Sequence, residues 1–138
     1  EPDLRNAPLL REDSLPQAVC HAACQVAAQL RAKYLVAFTE GGNSARLMSQ
    51  LRPHTPILAF TPHARIARKL SLLWGVRSML LPPMQNTDEM IEALDRCLLT
   101  RGLVQPGDLL VVVCGAPVNT RGSTNLMKLH RAGARDLG

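Results

Sequence analysis

Leu35-Val36-Ala37-Phe38-Thr39-Glu40-Gly41-Gly42-Asn43-Ser44-Ala45-Arg46-Leu47 is the stretch around which the chain is organised. Its opening residues are apolar and, with Tyr34, read as a short strand buried on both faces. Two glycines then make a tight turn, and a helix starts at about Asn43. A strand that passes into a helix through Thr-x-Gly-Gly-x-Ser forms a natural anion pocket. Glycines let backbone N–H groups come close to a ligand, and the helix N-terminus offers unpaired donors and partial positive charge. Thr39 and Ser44 add hydroxyl donors. The expected phosphate-binding loop is therefore Thr39, Glu40, Gly41, Gly42, Asn43 and Ser44.

The pattern echoes downstream. Leu35-Val36-Ala37-Phe38-Thr39 and Ile57-Leu58-Ala59-Phe60-Thr61 are offset by 22 residues, and Ala45-Arg46 matches Ala67-Arg68 at the same offset. Two copies are too few for a solenoid. They read as successive βα units, each strand ending in threonine. The second copy has Thr61-Pro62-His63-Ala64 where the first has its glycines, so only the first is expected to hold an anion closely.

Outward from this pair, residues 1–13 read as a polar tail or linker. Ser14, followed by Pro16, caps a helix that should end near Ala32. Ala18, Val19, Ala22, Ala23, Val26, Ala27 and Leu30 give that helix a broad apolar face. The helix after the glycine turn runs to about Leu51. Pro56 to Thr61 is the second strand, and Pro62 opens a helix that should reach about Trp74, where Gly75 stops it. Val76 to Leu81 is a third strand. Asn86-Thr87-Asp88-Glu89 caps the next helix, which closes at Gly102. Leu109 to Cys114 is the most hydrophobic strand and is expected to sit centrally. A polar loop over 115–124 follows, and Asn125 to His130 is a last strand. Because a bare loop replaces a crossover helix there, that strand should be antiparallel to its neighbour.

The expected fold is a three-layer α/β/α sandwich over 14–133, with 134–138 as a tail. Its five-stranded sheet is mostly parallel, with the last strand antiparallel. In such folds ligands sit beyond the carboxyl ends of the strands, so the loops at 39–44 and 115–124 could share one pocket.

Composition limits the functions. The 138 residues are 46% hydrophobic and 20% charged, which suits one soluble domain with a real core. No apolar run approaches the ~20 residues that cross a bilayer, and the amino-terminal residues lack a signal peptide's apolar middle. A cytoplasmic protein without membrane contact is the expectation. The net charge of +5 comes from scattered residues. The densest group, Arg65, Arg68 and Lys69 beside His63, reads as a solvated helix face rather than a nucleic-acid patch, since aromatic stacking platforms are missing. Cys20 and Cys24 lie one helical turn apart beside His21. With no second pair at zinc spacing they read as buried thiols, not a metal site.

No catalytic set stands out. There is no Walker loop and no nucleophile elbow. His21, His54, His63 and His130 have no paired carboxylate at motif spacing, though His63 or His130 would be the acid/base of any small enzyme here. Asp88 and Glu89 read as helix-start charges and Asp108 as a turn former. A phosphate loop without nucleophile, base or metal points to binding rather than turnover.

The loop from Thr39 to Ser49, with Arg52-Pro53 and Pro56 to Thr61, resembles the C-terminal domain of pyruvate kinase. So do Leu73-Trp74-Gly75-Val76, Thr87-Asp88-Glu89-Met90, Gly102-Leu103-Val104, Gly107-Asp108 and Gly122-Ser123-Thr124-Asn125-Leu126-Met127-Lys128-Leu129-His130. The resemblance covers about residue 15 to residue 133, with the blocks in the family's order. It implies a regulatory and assembly domain that follows a catalytic β/α barrel. That barrel would hold magnesium, potassium, phosphoenolpyruvate and ADP; no cofactor is expected in this part. It also implies that the loop 39–44 grips a phosphate of an effector, a sugar phosphate or nucleoside monophosphate, and that the loop 115–124 closes over it. The last strand would take part in a subunit interface of a homotetramer.

Two residues depart from that pattern. Glu40 places a carboxylate in the phosphate loop, at a cost of ~1–3 kcal/mol beside a dianion when partly buried. Asn43 stands where a basic residue is common. Arg121, with Gly122, is the expected cation from the opposite loop. The alternative is a free-standing partner-binding module of the same fold, using the last strand as an open edge.

Overall fold

The computed structural model describes residues 15–115 and 124–134. The expected tails, the Ser14 cap, and Arg121 and Gly122 of the polar loop lie outside them. In chain order the elements are α1 (Leu15–Leu30), β1 (Tyr34–Phe38), α2 (Asn43–Gln50), β2 (Ile57–Thr61), α3 (Ala64–Leu70), β3 (Val76–Leu80), α4 (Thr87–Thr100), β4 (Leu109–Gly115) and β5 (Thr124–Arg131).

The strands form one sheet in the order β3-β2-β1-β4-β5. β1 runs parallel to β2 and β4, β2 runs parallel to β3, and β5 is antiparallel to β4. The fold is the expected α/β/α sandwich. The near-continuous apolar strands explain why: all five residues of β2 are buried, which requires helices on both faces.

Alternation along the strands sorts the core into two halves. Leu35, Ala37, Ile57, Ala59, Val111 and Val113 pack against Cys20, Ala23 and Ala27 of α1, Ala45 and Met48 of α2, and Leu70 of α3. On the other face, Val36, Leu58, Phe60, Leu110 and Val112 meet Leu94 and Leu98 of α4. Among the described residues, three helices therefore cover one face and a single helix covers the other. The small alanines of α1 and α2 let those helices sit close to the sheet.

The sequence echo becomes a physical pairing. Leu35, Val36, Ala37 and Phe38 lie beside Ile57, Leu58, Ala59 and Phe60 in register. The Phe38 and Phe60 rings stack with centroids 5.3 Å apart. The two threonine-ended strand exits are thus neighbours.

The structure corrects several expectations. α3 stops at Leu70 rather than near Trp74. The N–H of Leu73 bonds back to the Leu70 carbonyl, and the Gly75 carbonyl receives the Ile57 N–H. Residues 71–75 must turn so that Val76 can align with Ile57, and this outweighs their helical propensity. α1 ends at Leu30, not Ala32, because Arg31 takes a left-handed conformation at φ 55°. The middle strand is β1; β4, although almost wholly buried, lies between β1 and β5. β2 and β3 are one residue shorter than expected, and β5 is one longer at each end.

α4 starts as its sequence dictates. Asn86 Oδ1 accepts the Glu89 N–H at 2.9 Å, and the Glu89 carboxylate accepts the Gln85 N–H at 3.0 Å. The first bond satisfies a donor that the helix start would leave unpaired, and the second ties the residue before the cap to the first turn. Asp108 shapes its turn by accepting the Gln105 N–H at 2.9 Å.

Candidate functional site

The strand order places the 39–44 loop at the sheet's switch point. From β1 the chain first winds outward through β2 and β3, then crosses back to β4 on the other side of β1. Such a reversal opens a crevice at the carboxyl ends of the two strands. The loop leaving β1 lies at that crevice. The loop leaving β4, with Arg121 and Gly122, lies outside the described residues.

Thr39 folds the exit from β1. Its N–H donates to the Phe60 carbonyl at 2.9 Å, and its Oγ1 accepts the Gly42 N–H at 2.7 Å. The threonine hydroxyl oxygen thus serves the turn itself, and the Gly42 N–H is spent on it. In the second copy Thr61 Oγ1 accepts the His63 N–H at 3.3 Å. The same residue type does the same local work at both strand exits.

Gly42 caps α2 with φ 90°, a conformation that side chains rarely adopt. It also has no room for one: a Cβ there would lie 2.9 Å from Leu70 Cδ2 and 3.5 Å from Ile66 Cγ2. The backbone angle favours glycine, and a side chain would also force the Leu70 methyl to shift. The first N–H groups of α2, those of Asn43, Ser44 and Ala45, have no acceptor within the helix by its geometry.

Ser44 is 1% exposed, and its Oγ has no hydrogen-bond partner. Its carbonyl receives the Cys20 thiol at 3.7 Å. That bond needs a protonated thiol, and burial, with a smaller contribution from Cys24, pushes the Cys20 pKa up to about 12. Burial pushes Cys24 up to about 11. Cys114, at the end of β4, is also raised by burial, with Lys128 opposing. These thiols act as buried hydrophobes.

Glu40 does not stand alone in the loop. Its Oε2 lies 2.5 Å from His63 Nε2, with side-chain exposures of 16% for Glu40 and 48% for His63. The carboxylate expected to repel an anion is drawn against the residue that caps α3. Spacing rules miss a pair 23 positions apart. The echo carries the signal: His63 occupies in the second copy the place of Gly41 in the first, and the copies are side by side.

The other histidines lie elsewhere. His21 and His54 are exposed. His130 is 6% exposed and bonds Asp95 Oδ1 of α4 at 2.9 Å. Its β4 neighbour is Leu110, near the amino end of that strand, so His130 is remote from the 39–44 loop. The carboxylate partners of His63 and His130 are thus found across the fold, not at motif spacing.

Known proteins fit this architecture. The family model described as the pyruvate kinase alpha/beta domain matches residues 17–130. Pyruvate kinase from Mycobacterium tuberculosis is 41% identical over 119 residues, covering 86% of this chain and 25% of the relative. That from Corynebacterium glutamicum is 36% identical over 132 residues, covering 96% and 27%. A crystal structure of a pyruvate kinase from Cryptosporidium parvum superposes with a TM-score of 0.77 at 30% identity, covering 91% of this chain and 23% of the other. The chain spans about a quarter of the length of these curated relatives. On fold, matched residues and sequence identity together, the chain belongs to the pyruvate kinase alpha/beta domain family, as a C-terminal domain of that type.

Proposed function

We propose that this chain is the regulatory and assembly domain of a pyruvate kinase, and that it binds a phosphorylated effector at the 39–44 loop. The ligand class is a sugar phosphate or nucleoside monophosphate. The parent enzyme, by family, transfers a phosphoryl group from phosphoenolpyruvate to ADP in glycolysis, in the cytoplasm, with magnesium and potassium held by a barrel domain. This part tunes that reaction and contributes no catalytic residue.

The observation that carries the reading is the state of the first turn of α2. Its first N–H groups have no acceptor within the helix, and Ser44 Oγ in the same turn is buried without a hydrogen-bond partner among the described residues. Such an orphan costs ~1–3 kcal/mol, and an anion that reorganises this turn would relieve it. The Glu40 carboxylate is also held by a hydrogen-bonded contact to His63 instead of standing free in the loop.

Self-association through β5, within a homotetramer, has separate support. β5 is the outermost strand beyond β4 among the described residues, and edge strands are ready sites for pairing between chains. The neighbouring α1 carries no Asp, Glu, Lys or Arg in its 16 residues, a composition suited to burial between subunits.

Calorimetric titration with fructose 1,6-bisphosphate, ribose 5-phosphate, glucose 6-phosphate and AMP, repeated on Thr39→Ala, tests the effector reading. Binding that disappears in the variant supports it. No heat from any of the four with folded protein rejects it and leaves assembly as the domain's role.

A further inference from the structure

A helix with side chains is about 10 Å wide and strands lie about 4.8 Å apart, so one helix covers only about two strands. α4 is the one described helix on its face of a five-stranded sheet. The β3 end of that face is therefore left as a cleft between α4 and the segment that leaves β3. Its volume is about 310 Å³, at the lower end of ordinary small-molecule sites.

The cleft has a distinct chemistry. Leu81, Pro82 and Met84 form one wall, and Ala93 and Cys97 form part of the other. Arg96 and Thr100 of α4, one turn apart, and Arg101 just after the helix bring two guanidinium groups and a hydroxyl to it. Among the described residues, neither arginine is paired with a carboxylate. Arg101 instead donates from Nη1 to the Met79 sulfur at 3.5 Å, a weak acceptor for a full cation. Of the acidic residues of α4, Asp88 and Glu89 lie at its start, Asp95 is engaged by His130, and Glu92, one turn before Arg96, makes no salt bridge to it.

An apolar trough beside two guanidiniums that make no carboxylate contact among the described residues, and a hydroxyl, matches a molecule with an apolar body and one anionic group. Arginine's planar fork suits a carboxylate or a phosphate. We propose that this cleft is a second ligand site, separate from the 39–44 loop, that takes a small organic anion.

The test uses the 138-residue chain with phenylacetate, phenyl phosphate and benzyl alcohol as probes, followed by calorimetry and amide chemical shifts. The two anions should bind and shift amides in 81–84 and 93–101, and the neutral alcohol should not. Tighter binding of phenylacetate assigns the site to carboxylic acids; tighter binding of phenyl phosphate assigns it to phosphate monoesters. Arg96→Gln and Arg101→Gln together should weaken binding by about tenfold or more, since each removes a charge-assisted hydrogen bond. Both substitutions are on exposed residues, and an unchanged melting curve verifies the fold. Bound anion should also slow alkylation of Cys97, the thiol in the cleft wall. The proposal is overturned if neither anion binds folded protein at millimolar concentration, if the double variant binds as well as the parent, or if the shifts map only to 39–44.

Discussion

Glu40 and His63 tie the two strand exits together: Glu40 Oε2 lies 2.5 Å from His63 Nε2 across the seam between β1 and β2. A double-mutant cycle with Glu40→Gln and His63→Ala should give a coupling of roughly 0.2–1 kcal/mol, as expected for a partly exposed pair. The larger effect should be on binding. His63→Ala releases the Glu40 carboxylate from its partner and leaves it free in the loop, so affinity for fructose 1,6-bisphosphate should fall, and adding Glu40→Gln should restore it. Calorimetry on the three variants reads this directly; equal affinity in all of them would remove Glu40 from the site's electrostatics.

Gly42→Ala combines a forbidden backbone angle with a contact at 2.9 Å from Leu70. The backbone term alone should cost ~1 kcal/mol or more. Because the clash involves a side-chain methyl, Leu70→Ala in the same chain should recover the packing part and leave the backbone part. Urea denaturation of the single and double variants separates the two.

Leu94, on α4, is fully buried against the sheet. Leu94→Ala should destabilise by ~2–5 kcal/mol through lost burial and a residual cavity. Leu72→Ala, at a position 86% exposed, should stay within about 0.5 kcal/mol. Thermal melts of the pair compare a core leucine with a surface one.

The raised thiol pKa values give a pH dependence with a defined sign. Burial disfavours the thiolate, so the folded pKa lies above the ordinary 9.0, at about 12 for Cys20 and about 11 for Cys24. The stability that these thiols contribute is complete below 9.0 and is lost as pH rises through the folded values. Melting temperature should therefore fall between about pH 9 and 12, and less steeply in Cys20→Ala. At pH 8, iodoacetamide should modify Cys20 in denatured protein and spare it in native protein.

Asn86→Ala removes the acceptor for the Glu89 N–H and should cost ~0.5–2 kcal/mol. Asn86→Asp should keep most of the stability, since a carboxylate both caps and favours a helix start. Chemical denaturation of both variants distinguishes capping from packing.

The strands were legible because their apolar runs are short, bounded by turn residues, and repeated at one offset. The antiparallel β5 followed from a connection too poor in helix formers for a crossover. The glycine turn announced its own backbone, and Gly42 behaves accordingly. What escaped was decided by distance in space. The length of α3 depends on where Val76 must align, which no window around Leu70 contains. The partners of His63 and His130 are 23 and 35 positions away. The orphaned hydroxyl of Ser44 exists only because α1 and α2 pack tightly together.

The uneven layering also sets the order in which the molecule comes apart. On the three-helix side, α1, α2 and α3 share the cover of one cluster, so any one can fray while the others still hold part of it. On the other side, Val36, Leu58, Phe60 and Val112 share α4 as their helical cover. When that helix lifts, they meet water together. Amide hydrogen exchange should thus be graded among the first three helices and all-or-none beneath the fourth, making α4 a single cooperative latch on half of the core.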